Sequence, residues 1–186
     1  MNTNMWLLSV LFLFGTAKSF LLDEGWTACK FDSANLCMPA KVPGTVLTSL
    51  LLNGTFDGIG MNNIYTDANL NLLPDIADVG ADYYTYVFTK NSINIEKSNC
   101  LDESGNTGRL LLKLHGINYR AIVKINDNEV LPLDSDDDAV GMFSSFKYDV
   151  TQFISKNTQG MILKSLSIQV NPPDFPGNAS QGGQGG

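Results

Sequence analysis

Short runs in which apolar and polar residues alternate, each closed by turn residues, constrain this chain more than any other feature of it. Tyr84, Tyr86 and Phe88 alternate with Thr85, Val87 and Thr89. Leu110, Leu112 and Leu114 alternate with Leu111, Lys113 and His115, and Ala121, Val123 and Ile125 alternate with Ile122 and Lys124. Phe146, Tyr148 and Val150 repeat the pattern, as do Leu166, Ile168 and Val170. A period of two sends successive side chains to opposite faces, so each run predicts a strand with one buried face and one solvated face. Asn126-Asp127-Asn128 predicts a tight turn between two strands. The expected fold class is therefore all-β, a jelly-roll β-sandwich.

Two stretches depart from this pattern. From Thr45 to Asn53, Val46, Leu47, Leu50 and Leu51 stand at helical spacing, with Gly54 as a C-terminal stop. This helix is expected to plug one end of the sandwich. Asn91 to Gly108 is polar and irregular, and reads as a long hairpin loop.

Of 186 residues, 44% are apolar, enough for a core without help from disulfides. The formal net charge is −7, which opposes DNA or RNA as a partner because phosphate binding needs clustered Lys and Arg. It equally opposes docking on an anionic membrane. A carbohydrate remains open as a partner.

The apolar run Trp6–Phe14, followed by Ala17-Lys18-Ser19, reads as a signal peptide over residues 1–19 and is too short to span a bilayer. A β-sandwich domain over 20–171 and a Pro/Gly-rich segment over 172–186 complete the expected division. The expected location is secreted or lumenal, either extracellular or lysosomal/vacuolar. Cys29, Cys37 and Cys100 follow the signal, so in an oxidising compartment one pair bridges and one cysteine is left over. Cys29 and Cys37 are the candidate pair by proximity, although sequence does not choose among the pairings. Asn53-Gly54-Thr55 and Asn178-Ala179-Ser180 are glycosylation sequons, in keeping with secretion.

Chemistry-bearing constellations are sparse. His115 is the only histidine, too little for a nucleophilic triad or a His-rich metal site, and reads as structural or solvent-facing. Asp134-Ser135-Asp136-Asp137-Asp138 starts like a calcium loop, but Ala139 stands where that loop needs Gly and Ser145 where it needs Glu. A solvated hairpin tip is the preferred reading, and a calcium-dependent lectin rests on this run alone. Glycoside cleavage needs two carboxylates flanking the scissile bond. The glutamates after the signal, Glu24, Glu96, Glu103 and Glu129, lie at a chain end, in the long loop or beside a turn. No catalytic residue, metal or cofactor is expected. Trp26, Tyr83, Tyr84, Tyr86 and Tyr148 fall mostly where an aromatic fills a core, whereas Tyr65 is the best exposed candidate for stacking on a sugar.

Five ordered blocks carry a family resemblance. They are Val42-Pro43-Gly44-Thr45-Val46 with the helix behind it; Asp75-Ile76-Ala77-Asp78-Val79-Gly80 with Asp82-Tyr83-Tyr84-Thr85-Tyr86; His115-Gly116-Ile117-Asn118-Tyr119-Arg120-Ala121; Gly141-Met142-Phe143 with Tyr148-Asp149-Val150-Thr151; and Asn171-Pro172-Pro173-Asp174-Phe175-Pro176-Gly177. Together they resemble the amino-terminal domain of glycoside hydrolase family 2. The last block and Gly182-Gly183-Gln184-Gly185-Gly186 are most similar to mannosylglycoprotein endo-β-mannosidases and exo-β-glucosaminidases. The resemblance implies a galactose-binding-like jelly roll packed on a later (β/α)8 barrel that supplies both catalytic glutamates. It implies a β-mannoside or β-glucosaminide as the parent enzyme's partner, with Tyr65, Asn118 and Tyr119 as candidate carbohydrate contacts. It also implies truncation at the C-terminal strands, because relatives continue where this sequence reaches its Gly-rich block. A stand-alone secreted carbohydrate-binding module is the alternative.

Overall fold

Each alternating run becomes a strand, and the apolar members of the runs meet in one core. A computed structural model describes residues 19–33, 36–74, 79–96, 108–156 and 160–172. Its strands are β1 (Trp26–Lys30), β2 (Cys37–Ala40), β3 (Tyr86–Ile95), β4 (Leu111–Ile125), β5 (Asn128–Val130), β6 (Ala139–Asp149), β7 (Ser155–Lys156) and β8 (Met161–Asn171). They form a single antiparallel ladder in the order β2-β1-β3-β8-β4-β5, with β6 paired to β4 and β7 to β8. The fold is all-β, as the alternation requires.

The layers of the expected sandwich are thus parts of one connected ladder. The connection is β4, whose first half pairs with β6 (Leu112↔Tyr148, Leu114↔Phe146) and whose second half pairs with β8 (Val123↔Ile168, Ile125↔Leu166). Register shifts on the β6 side fall between His115 and Ile117 and between Ile117 and Arg120, where the strand changes partners. Ala121, Val123, Ile125, Leu166 and Ile168 are buried there, with Ile125 and Leu166 at 0% exposure.

The expected hairpin loop from Asn91 is a strand as far as Ile95. Those five residues were hidden by a change of buried face. In β3, Tyr86 and Phe88 are buried, but farther along Ile93 and Ile95 are, on the opposite parity; β8 answers with Leu166 and Ile168, then Met161 and Leu163. Registry is unbroken across the switch (Asn91↔Ser165, Ile93↔Leu163), and Ser92 at the crossover takes a left-handed φ of 53°. A twisted ribbon can thus bury one face at one end and the other face at the other. A single-period reading cannot follow that change.

The predicted helix is α1 (Val46–Leu52). Thr45 caps it, its hydroxyl oxygen accepting from the Thr48 N–H at 2.9 Å. Leu50 enters the main core, and Leu51 joins Ile59 and Ile64 in a smaller cluster. A short helix, α2 (Asp67–Leu70), follows in a segment without strong periodicity.

Candidate functional site

Tyr65 precedes α2 on a segment held from within. Asn63 accepts the Gly60 N–H at 2.7 Å through Oδ1 and donates to the Gly58 carbonyl at 2.9 Å, while Ile64 is buried. These contacts turn the neighbouring ring outward, and Tyr65 is 82% exposed. Asn118 and Tyr119 lie at the register break of β4 and are exposed, Tyr119 by 46%. No hydrogen bond or ring contact among the described residues joins Tyr65 to Asn118 or Tyr119.

The opposite face of the central strands carries a hollow of about 180 Å³, lined by Phe31, Val87, Ile122, Lys124, Ser167 and Gln169. It lies below the 300–1,000 Å³ typical of small-molecule pockets. Ser167 and Thr89 hydroxyls share a hydrogen bond at 3.2 Å, and Gln169 donates to Asn171 at 3.0 Å. Sequence reasoning passed over this hollow, although a signal was present: Val87 and Ile122 are apolar at positions where the alternation calls for solvent.

The acidic run is only partly a hydrated tip. Arg120 donates from Nε (2.9 Å) and Nη2 (2.6 Å) to Asp138 Oδ2, and the Asp138 side chain is 10% exposed. The solvated reading is therefore corrected at Asp138: the strand pairing Arg120↔Val140 brings a guanidinium beside it. Behind it lies Tyr148, 1% exposed, whose hydroxyl has no hydrogen-bond partner among the described residues. Burial, and then the charge of Asp138, push that hydroxyl up to about 12. Among the described residues, no three His, Cys, Asp or Glu side chains converge as a metal site would require. His115 is exposed, its Nδ1 3.0 Å from Ser145 Oγ.

A second ionic lock closes the far end of β6. Asp149 takes Arg109 Nε at 2.7 Å and the Thr151 N–H at 3.0 Å. The Thr151 hydroxyl, the Arg109 guanidinium and the Thr151 amide, in that order, hold its carboxyl down at about 2, against an ordinary 3.8. Because the folded value is the lower one, this group's stabilisation is present above pH 3.8 and is lost as pH falls through about 2. Urea titrations across that range should show the native chain losing its stability advantage over Asp149→Asn. A constant difference between the two would show that the ionised pair contributes nothing.

Cys29 and Cys37 face each other across the β1–β2 pair and are joined by a disulfide. Asn53 is exposed at the end of α1. Glu24 precedes β1, Glu96 follows β3 and Glu129 lies in β5, all three exposed. Residues 1–18, the Asp75–Asp78 part of the second sequence block, Cys100, Glu103, Asn178 and residues 173–186 lie outside the described residues.

A family model described as glycosyl hydrolase 2 galactose-binding domain-like matches residues 26–182. Among solved structures, the chain is similar to the FMN-binding beta-glucuronidase from Facaelibacterium prausnitzii L2-6, with 20% identity and a TM-score of 0.46 over 83% of this chain and 18% of that one. It is also similar to the beta-D-glucuronidase of Dictyoglomus thermophilum, with 18% identity and a TM-score of 0.43 over 81% of this chain and 19% of that one. The chain thus spans less than a fifth of the length of either structure. No curated protein matches it.

Proposed function

The chain belongs to the glycosyl hydrolase 2 galactose-binding domain-like family, and from this we propose that it serves as the non-catalytic amino-terminal domain of a secreted or lumenal family 2 glycoside hydrolase. In this reading the parent enzyme is of β-mannosidase or exo-β-glucosaminidase type, and the domain supports a (β/α)8 barrel that performs the hydrolysis. The observation that carries the reading is the reach of the family match. It begins at Trp26, the first residue of β1, and continues past Asn171, the last of β8, so it takes in every described strand.

The distribution of carboxylates supports a non-catalytic role. Retention of configuration needs two carboxyl groups about 5–5.5 Å apart. Among the described residues, Glu24 precedes β1, Glu96 follows β3 and Glu129 lies in β5, while Asp138 and Asp149 are each engaged by an arginine. The Asn171–Gly177 and Gly182–Gly186 blocks support the β-mannosidase or exo-β-glucosaminidase type.

The test is hydrolysis of aryl β-mannosides and aryl β-glucosaminides by the purified chain. No turnover is expected of either, and turnover of either one would overturn the non-catalytic role. The second reading, a stand-alone carbohydrate-binding module, is favoured by the exposure of Tyr65. Glycan-array binding by the chain that disappears in Tyr65→Ala would select it.

A further inference from the structure

We propose that Asn53 carries an N-linked glycan, and that the backbone geometry ending α1 is what presents it. Asn53 is the C-cap of this helix, Gly54 follows it, and Thr55 comes next, so the helix terminus and the sequon are the same three residues. The Gly54 N–H donates to the Leu51 carbonyl at 3.2 Å, and the Thr55 N–H to the Leu50 carbonyl at 3.0 Å. This crossed pair, with Gly54 at a left-handed φ of 68°, is the Schellman stop. It satisfies the Leu50 and Leu51 carbonyls with backbone N–H groups alone. Neither the Asn53 carboxamide nor the Thr55 hydroxyl is drawn into a hydrogen bond among the described residues, and both residues are exposed.

There is also room for the product. A side-chain carbon built at Gly54 would meet nothing within 4 Å, and neighbouring Leu52 is 60% exposed. A bulky, hydrated substituent at this point displaces no packing, because the buried members of the helix, Ser49, Leu50 and Leu51, belong to earlier positions. In the reaction, the Asn53 amide nitrogen attacks the anomeric carbon of a lipid-diphosphate-linked oligosaccharide. A C–N bond forms, the bond from that carbon to the phosphate oxygen breaks, the lipid diphosphate departs, and the amide nitrogen gives up one proton.

This inference rests on the secretory part of the reading above and is independent of the parent enzyme's sugar specificity. The full chain is translated with endoplasmic-reticulum microsomes, and protease protection and glycosidase-sensitive mobility are read together. A protected chain is expected, with a glycan on the Asn53 peptide by mass spectrometry. Asn53→Gln and Thr55→Ala should lose that glycan, Thr55→Ser should keep it, and Asn178→Gln should leave it in place. A protected chain with Asn53 unmodified overturns the proposal at the sequon itself. An unprotected chain overturns it through the targeting segment, and would count against secretion without touching the family assignment.

Discussion

Leu166→Ala is expected to destabilise the chain by about 3 kcal/mol, within the 2–5 kcal/mol seen when a buried leucine is truncated. Leu166 has no exposed surface and occupies β8, the strand held between β3 and β4 through Lys90↔Leu166 and Ile125↔Leu166. Both lateral neighbours are themselves tied into the ladder, so the walls of the new cavity have little freedom to collapse. Domains of this size are stable by only about 5–15 kcal/mol, so the loss is a large fraction of the whole. With a urea dependence of about 2 kcal/mol per molar, the midpoint should fall by about 1.5 M. Leu52→Ala, at a position 60% exposed, is the control and should move it by less than a third as much. Equal shifts for the two variants would mean that β8 is not the centre of the core.

The second large effect concerns the edge of the ladder. Cys29 and Cys37 are eight residues apart and directly opposite each other in the β1–β2 register. Joining them removes chain entropy from the unfolded state, and for a loop this short the estimate is about 2.5 kcal/mol. Among the described strands, β2 pairs only with β1, so the bridge also fastens a strand that has one neighbour. The Cys29→Ser/Cys37→Ser variant should therefore melt several degrees lower. Its Trp26–Lys30 amides should exchange faster than those of β8. Reductant should reproduce the shift in the native chain and have no further effect on the variant. If melting and exchange are the same with and without the bridge, the disulfide has no part in holding β1 and β2 to the sheet.

Most of the core was legible from local pattern, because burial on one face of a strand leaves a period of two in the chain. Val123 and Ile125, Leu166 and Ile168, and Tyr86 and Phe88 are all buried as that period requires. The helix was legible for a related reason: Val46, Leu47, Leu50 and Leu51 stand at helical spacing, and Gly54 ends the helix with a left-handed backbone, whereas the Thr45 cap was seen only in the structure. The second half of β3 was not legible, since Ile93 and Ile95 continue the strand on the opposite parity. The Arg120–Asp138 pair was hidden too, because its members are 18 positions apart and meet only through the β4–β6 pairing.

The sequence by itself thus determined the class of fold, the buried faces of most strands, the helix with its Gly54 stop and the ordered blocks that mark the family, each of which is written in a short local pattern. Tertiary structure alone decided that the strands make one ladder, that β4 changes partners midway, and that the β3–β8 ribbon changes its buried face. Those outcomes depend on sheet twist and on pairing between distant residues, which local periodicity does not record.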